Sequence, residues 1–172
     1  MKVTSMLCRS MVVTSWLVEV EDWFEDVEDD AARFALMSWF FEESLEDFSP
    51  YAAAQTREGF QIVGTSGTVT TVAASHLGLK RYDRTKVDGL RMSTDQIDAV
   101  IQNYLNMGPA GRRADPRIGK DRQALIMSGA AILQTLMRLW PTDRLSVADR
   151  GLREGLLYAQ MSAHGVLEDT PY

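Results

Sequence analysis

Residues 31 to 48 carry Phe34, Met37, Trp39, Phe40, Phe41, Leu45 and Phe48, with carboxylates gathered towards the ends. This pattern predicts a helix with a broad apolar face to bury, closed by Pro50. Phe60-Gln-Ile-Val63 lies between Gly59 and the turn residues Gly64 to Thr68, and predicts a buried strand entering a glycine loop. Val69, Val72, Ala73 and Leu77 then recur at the spacing of one helix face, and Gly78 suits the left-handed position after its end. Ser93 and Gln96 form a capping box ahead of the stripe Ile97, Val100, Ile101, Tyr104 and Leu105, which Gly108-Pro109 ends. From Asp121 to Trp140 apolar residues occur on every face until Pro141, the mark of a central buried helix. Leu145-Ser-Val-Ala148 is a second short strand, and Gly151 to His164 a last helix with Gly165 as terminator. The order predicts an α/β fold, helix-rich, with a small sheet of short, mainly parallel strands.

The 172 residues are 45% apolar and 24% charged, which excludes disorder and collagen and fits about one domain. The net charge of −6 hides an asymmetry, because Glu19 to Asp47 holds twelve carboxylates against Arg33 alone. With that balance neither nucleic acid nor an anionic membrane is expected as a partner. Cationic residues gather instead at Lys80, Arg81, Arg84, Lys86 and Arg91, and at Arg112, Arg113, Arg117, Lys120 and Arg122. Each cluster is either a solvated loop or the place where an anion binds.

Met11 to Val20 is too short and too interrupted to span a bilayer, and no small-residue cleavage site follows it, so a cytoplasmic protein is expected. Cys8 is the single cysteine, without a cysteine partner or a base in view. His76 and His164 stand just before Gly78 and Gly165, where an imidazole caps a helix C-terminus. Trp16, Trp23, Trp39 and Phe40-Phe41 read as core. A domain lacking part of its cover would leave some of that core open as an apolar patch for self-association or docking.

Val63-Gly-Thr-Ser-Gly-Thr68 and Ala148-Asp-Arg-Gly-Leu152 repeat one physical idea, a strand whose carboxyl end turns through glycine into a helix. Glycine lets a ligand approach the backbone, and the first helical turn offers unpaired N–H groups and the positive end of the dipole to an anion. Ser66 and Thr68 add hydroxyl donors, and Arg150 or Arg153 add charge. Neither the Walker A spacing nor Gly-x-Gly-x-x-Gly is present, and two close-packed turns without a ligand remain the alternative on local sequence.

Residues 62 to 90, from Ile-Val-Gly-Thr-Ser-Gly-Thr-Val to Lys-Val-Asp-Gly-Leu, with Ile118-Gly, Ala130-Ala-Ile-Leu133 and Val147-Ala-Asp-Arg-Gly-Leu-Arg-Glu-Gly-Leu-Leu157, resemble the exopolyphosphatase/guanosine pentaphosphate phosphohydrolase (Ppx/GppA) family. The resemblance covers about residues 20 to 163. It implies an actin-like, ribonuclease-H-like fold in which two α/β domains close over a cleft holding Mg²⁺ and a phosphate chain. The family's Asp-x-Gly-Ser-Asn loop, its catalytic glutamate and its Asp-x-Gly-Gly-Gly-Ser loop have no match in this sequence. The resemblance therefore implies a partial second domain over residues 19–165, with 1–18 unassigned and 166–172 a tail.

It places Gly64, Thr65, Ser66, Gly67 and Thr68 on the first phosphate- or nucleotide-facing loop, and Arg150, Gly151, Arg153 and Glu154 on the second. It supplies no catalytic residue and no metal ligand in this chain. The implied ligand is polyphosphate or a guanine nucleotide, and the implied partner a companion first domain or a second copy. Phosphoanhydride hydrolysis needs a metal-bridged phosphate, an aligned water and a base, so the chain alone is expected to be inactive. The alternative is a non-catalytic phosphate- or nucleotide-binding regulatory module.

Overall fold

The computed structural model describes residues 20, 22–45, 53, 56 and 58–166. The first eighteen residues with Cys8 and Trp16, the stretch holding Phe48 and Pro50, and the tail 167–172 lie outside them. The elements run α1 (Asp30–Ser44), β1 (Ile62–Gly64), α2 (Gly67–His76), α3 (Arg84–Val87), β2 (Arg91–Met92), α4 (Thr94–Ala114), a 3-10 turn (Lys120–Arg122), α5 (Ile126–Leu139), β3 (Leu145–Val147) and α6 (Leu152–Ala163).

The sheet has the order β1-β3-β2. β1 runs parallel to β3, with Ile62 opposite Leu145 and Gly64 opposite Val147. β2 runs antiparallel to β3, with Arg91 opposite Ser146. The sheet is thus mixed, where mainly parallel strands were expected. The difference comes from β2, a two-residue strand that the sequence pattern hides among the residues of the first basic cluster.

The helices follow the predicted signals closely at their caps. Asp29, a cap the pattern over residues 31 to 48 does not single out, accepts the Ala32 N–H at 2.6 Å and starts α1. Ser93 and Gln96 exchange both bonds of the capping box at α4. Gly78 and Gly165 adopt φ of 64° and 66° just past α2 and α6. The break at Gly108, φ 63°, ends the first stretch of α4 as expected, but Pro109 then starts a further helical piece to Ala114, since a first-turn proline lacks only an N–H that has no helical partner.

α5 is the central element and touches α1, α2 and α4. It begins at Ile126 rather than Asp121, because the chain from Lys120 to Leu125 is spent on the 3-10 turn and the turn after it. Its Ser128, Gly129, Ala130 and Ala131 are buried and small, which lets neighbouring backbones come close. Phe34, Met37 and Phe41 of α1, Val72 and Ala73 of α2, and Ile97, Ile101 and Tyr104 of α4 complete the core. Two expectations fail here. Trp39 and Trp23 are 58% and 57% exposed instead of in the core, and Leu77 lies largely outside it. α1 carries large apolar residues on two opposite sides, so packing one of them on α5 leaves Leu36 and Trp39 on the other side open.

Candidate functional site

Parallel pairing sends β1 and β3 out of the sheet on the same side, so the turns that follow them leave together. The Ala148 N–H donates to the Gly64 carbonyl at 2.9 Å, extending the ladder into both turns. The two glycine turns are therefore neighbours, and the N-termini of α2 and α6 start from the same edge.

In the first turn Gly64 has no room for a side chain, because a β-carbon would stand 2.7 Å from Cγ1 of Val69. The Ser66 hydroxyl accepts the Val69 N–H at 3.3 Å and caps α2, keeping its own proton to donate outward. Thr65 and Ser66 are exposed, while Thr68 is half-buried against Gly129 of α5. In the second turn Glu154 accepts the Gly151 N–H at 2.8 Å, and this bond lowers its pKa below the usual carboxylate range. Its carboxylate is committed to the helix cap. The Arg150 guanidinium reaches the Tyr158 hydroxyl at 3.1 Å and lies 4.0 Å from Asp88, and Arg153 is exposed.

Four further residues converge on the turns. Arg122, from the 3-10 turn, donates to the Gly67 carbonyl at 2.7 Å and to the Thr71 hydroxyl at 2.8 Å, lying over the first turn of α2. Arg84 donates to the Asp149 carbonyl at 2.5 Å and faces its carboxylate at 3.3 Å. Asp88 accepts the Asp149 N–H at 2.9 Å. Tyr82 is pushed up to about 12 by desolvation, then by its contact with the Asp149 carboxylate. Arg84 and Arg122 sit in the two basic clusters, which are thereby more than solvated loops. Asp149 stands inside the second turn motif. What the sequence does not show is their meeting, since Arg122 and Arg84 reach partners 51 to 65 positions away.

Other members of the clusters have structural partners. Arg112 is buried and grips Asp30 through two bonds of 2.5 and 2.7 Å. Arg117 holds Asp115, whose pKa falls chiefly through that hydrogen bond. His76 ends α2 and His164 caps α6, both exposed.

Chemically, this edge offers backbone N–H groups, two exposed hydroxyls and guanidinium groups to an anion. It does not place a general base beside a nucleophile, because Ser66 serves a backbone N–H and Asp149 faces Arg84 and Tyr82. The residues present also do not fit a magnesium ion. Among the described residues no three metal-binding side chains gather, and the carboxylates at the turns, Asp88, Asp149 and Glu154, already face guanidinium or backbone partners. Among the same residues no helix is long and apolar enough to cross a membrane.

Residues 10–164 match the model of the Ppx/GppA phosphatase family. The fold is similar to that of an Aquifex aeolicus member of the family, at TM-score 0.73 and 24% identity over 86% of this chain and 47% of the other. It is similar too to the type II variant of the Aquifex aeolicus Ppx/GppA phosphatase, at 0.71 and 26% over 84% and 47%. A third match is an exopolyphosphatase-like protein, at 0.68 and 25% over 80% and 46%. The chain thus spans about half the length of the solved structures it matches. No curated protein matches it.

Proposed function

The chain belongs to the Ppx/GppA phosphatase family, and from that premise we propose that its two turns form one wall of a phosphoanhydride-hydrolysing cleft, facing polyphosphate or guanosine pentaphosphate. The observation that carries the reading is the hydrogen bond from Ala148 to Gly64, which holds the two helix N-termini at one edge where both can address the same phosphate chain. Gly64 to Thr68 give backbone and hydroxyl donors, Arg150 and Arg153 give charge, and Glu154 with Gly151 shapes the second turn. Arg122 and Arg84 hold the two turns in place.

In this reading the wall binds and orients but does not itself hydrolyse. The aligned water, the base and the metal ligands come from a companion first domain, a reading supported by the lack of any metal-binding cluster among the described residues. The protein acts in the cytoplasm, where its single cysteine stays reduced.

Calorimetry and phosphate release on the isolated chain test the proposal. Long-chain polyphosphate or guanosine pentaphosphate should bind, Ser66→Ala with Arg153→Ala should weaken binding, and no phosphate should appear with or without Mg²⁺. Turnover abolished by the same substitutions would overturn the need for a companion domain. An absence of any binding would overturn the phosphate-facing wall.

A further inference from the structure

We infer that the outer face of α1 is a docking surface for a cationic amphipathic segment of another protein. Phe34, Met37 and Phe41 turn one side of α1 to the core, yet the opposite side carries Leu36 and Trp39 into solvent. Trp23 extends this face, meeting Phe40 edge-on with ring centroids 5.1 Å apart. Trp39 is 58% and Trp23 57% exposed, and rings of that size left outside the core are the kind that anchor interfaces. The platform is held ready. Arg33 of α1 donates to the carbonyls of Phe24 at 2.7 Å and Glu25 at 2.5 Å, fixing the segment that bears Trp23 against the helix.

The charge around the rings selects the occupant. Asp22, Glu25, Asp26, Glu28 and Glu43 are exposed, and among the described residues no lysine or arginine pairs with any of them. Arg33, on the same helix, is spent on backbone carbonyls rather than carboxylates, and Arg138 is paired with Glu42. An apolar patch with an unneutralised acidic rim repels nucleic acid, anionic lipid and a second copy of itself, and attracts a segment with apolar residues along one side and lysine or arginine along the other. The face is remote from the glycine turns in the fold, since α1 packs on α5 and α4 while the turns emerge from β1 and β3. The inference is independent of the proposed phosphate wall.

A synthetic helical peptide with leucine on one face and lysine on the other serves as probe, against a scrambled peptide of the same composition and a version with glutamate for lysine. Tryptophan fluorescence and calorimetry should report saturable binding of the first peptide only, weakening as salt rises. Trp39→Ser, at a site mostly outside the core, should raise Kd by about tenfold or more while the denaturation midpoint holds. Asp26→Lys with Glu43→Lys should weaken binding and flatten the salt dependence, which keeps the test decisive if the tryptophan variant misfolds. Equal binding of the scrambled peptide, or of Trp39→Ser, would overturn the inference. So would shielding of Trp39 from acrylamide in the free protein, which would mean the chain covers this face itself, or a dimer that Trp39→Ser dissolves.

Discussion

Gly129 is the point at which the core dictates the position of the first glycine turn. A β-carbon there would stand 2.1 Å from Oγ1 of Thr68 and 3.0 Å from both Cβ and Cγ2. Rotating the threonine about χ1 does not clear the overlap, because its own Cβ is already too close, so α2 and α5 must separate by some tenths of an ångström. Alanine in place of a helical glycine gains about 1 kcal/mol of backbone entropy. Overpacking a core costs about 1–3 kcal/mol, and a clash with three atoms of a stiff β-branched side chain belongs at the upper end. Gly129→Ala should therefore destabilise the chain by about 1–2 kcal/mol.

Thr68→Ala removes Oγ1 and Cγ2 and leaves only the 3.0 Å contact. The residual cost of that contact is about offset by the ~1 kcal/mol that alanine gains in a helix, so in the Thr68→Ala background Gly129→Ala should be close to neutral. Urea denaturation of the four proteins gives the coupling directly. Because Thr68 belongs to the first turn, the single Gly129→Ala variant should also bind polyphosphate several-fold more weakly. A coupling below about 0.5 kcal/mol, or a Gly129→Ala protein as stable as its parent, would refute the reasoning.

Arg112→Met should cost about 2 kcal/mol in the same assay, less than the 3–5 kcal/mol of a fully buried pair because Asp30 keeps 23% of its side-chain exposure. Adding Asp30→Leu should restore most of that loss, and a variant with Arg112→Met as stable as the parent would count against a stabilising clamp. Tyr104 is pushed up to about 12 from 10.0 by burial, so its contribution is complete below about pH 10 and disappears as pH rises through 12. Thermal unfolding followed across that window should show falling stability, and Tyr104→Phe should shrink the fall. Asp115 has the opposite sign. Its pKa is held down by Arg117, so its contribution is present above the ordinary aspartate range near about 4 and is lost as pH falls below it. Arg117→Gln should flatten that acid limb in acid titration followed by circular dichroism.

Local signals carried much of the fold. Ser93 with Gln96, Gly78, Gly165 and the strand-turn-helix sequences at Gly64 and Gly151 specify their structure within a few residues, and the structure places each where the pattern predicts. The three-residue strands were legible because turn residues bracket them. β2 was not, since Arg91-Met92 has neither alternation nor length and exists only because β3 offers it an edge. The inner and outer sides of α1 were also inseparable by periodicity, because both are apolar, and only its packing on α5 decides that Phe41 is buried and Trp39 is not.

At the candidate site the two turns were readable and their supports were not. The pairing of β1 with β3 brings the turns together, and that is a property of the sheet rather than of either motif. Arg122 and Arg84 looked alike in the sequence, as members of mixed-charge loops beside glycine or proline. Folding sends one to the carbonyl of Gly67 and the other to Asp149. Contacts at such separation leave no trace in local composition.

Nuclear magnetic resonance of the ¹⁵N-labelled chain titrated with tripolyphosphate tests the account most directly. The amides of residues 64–68 and 149–153 should shift together along one saturation curve, with those of α1 and the Gly108 break unmoved. Shifts confined to one turn, separate curves for the two, or a response spread over the arginine-rich surface without either turn would contradict it.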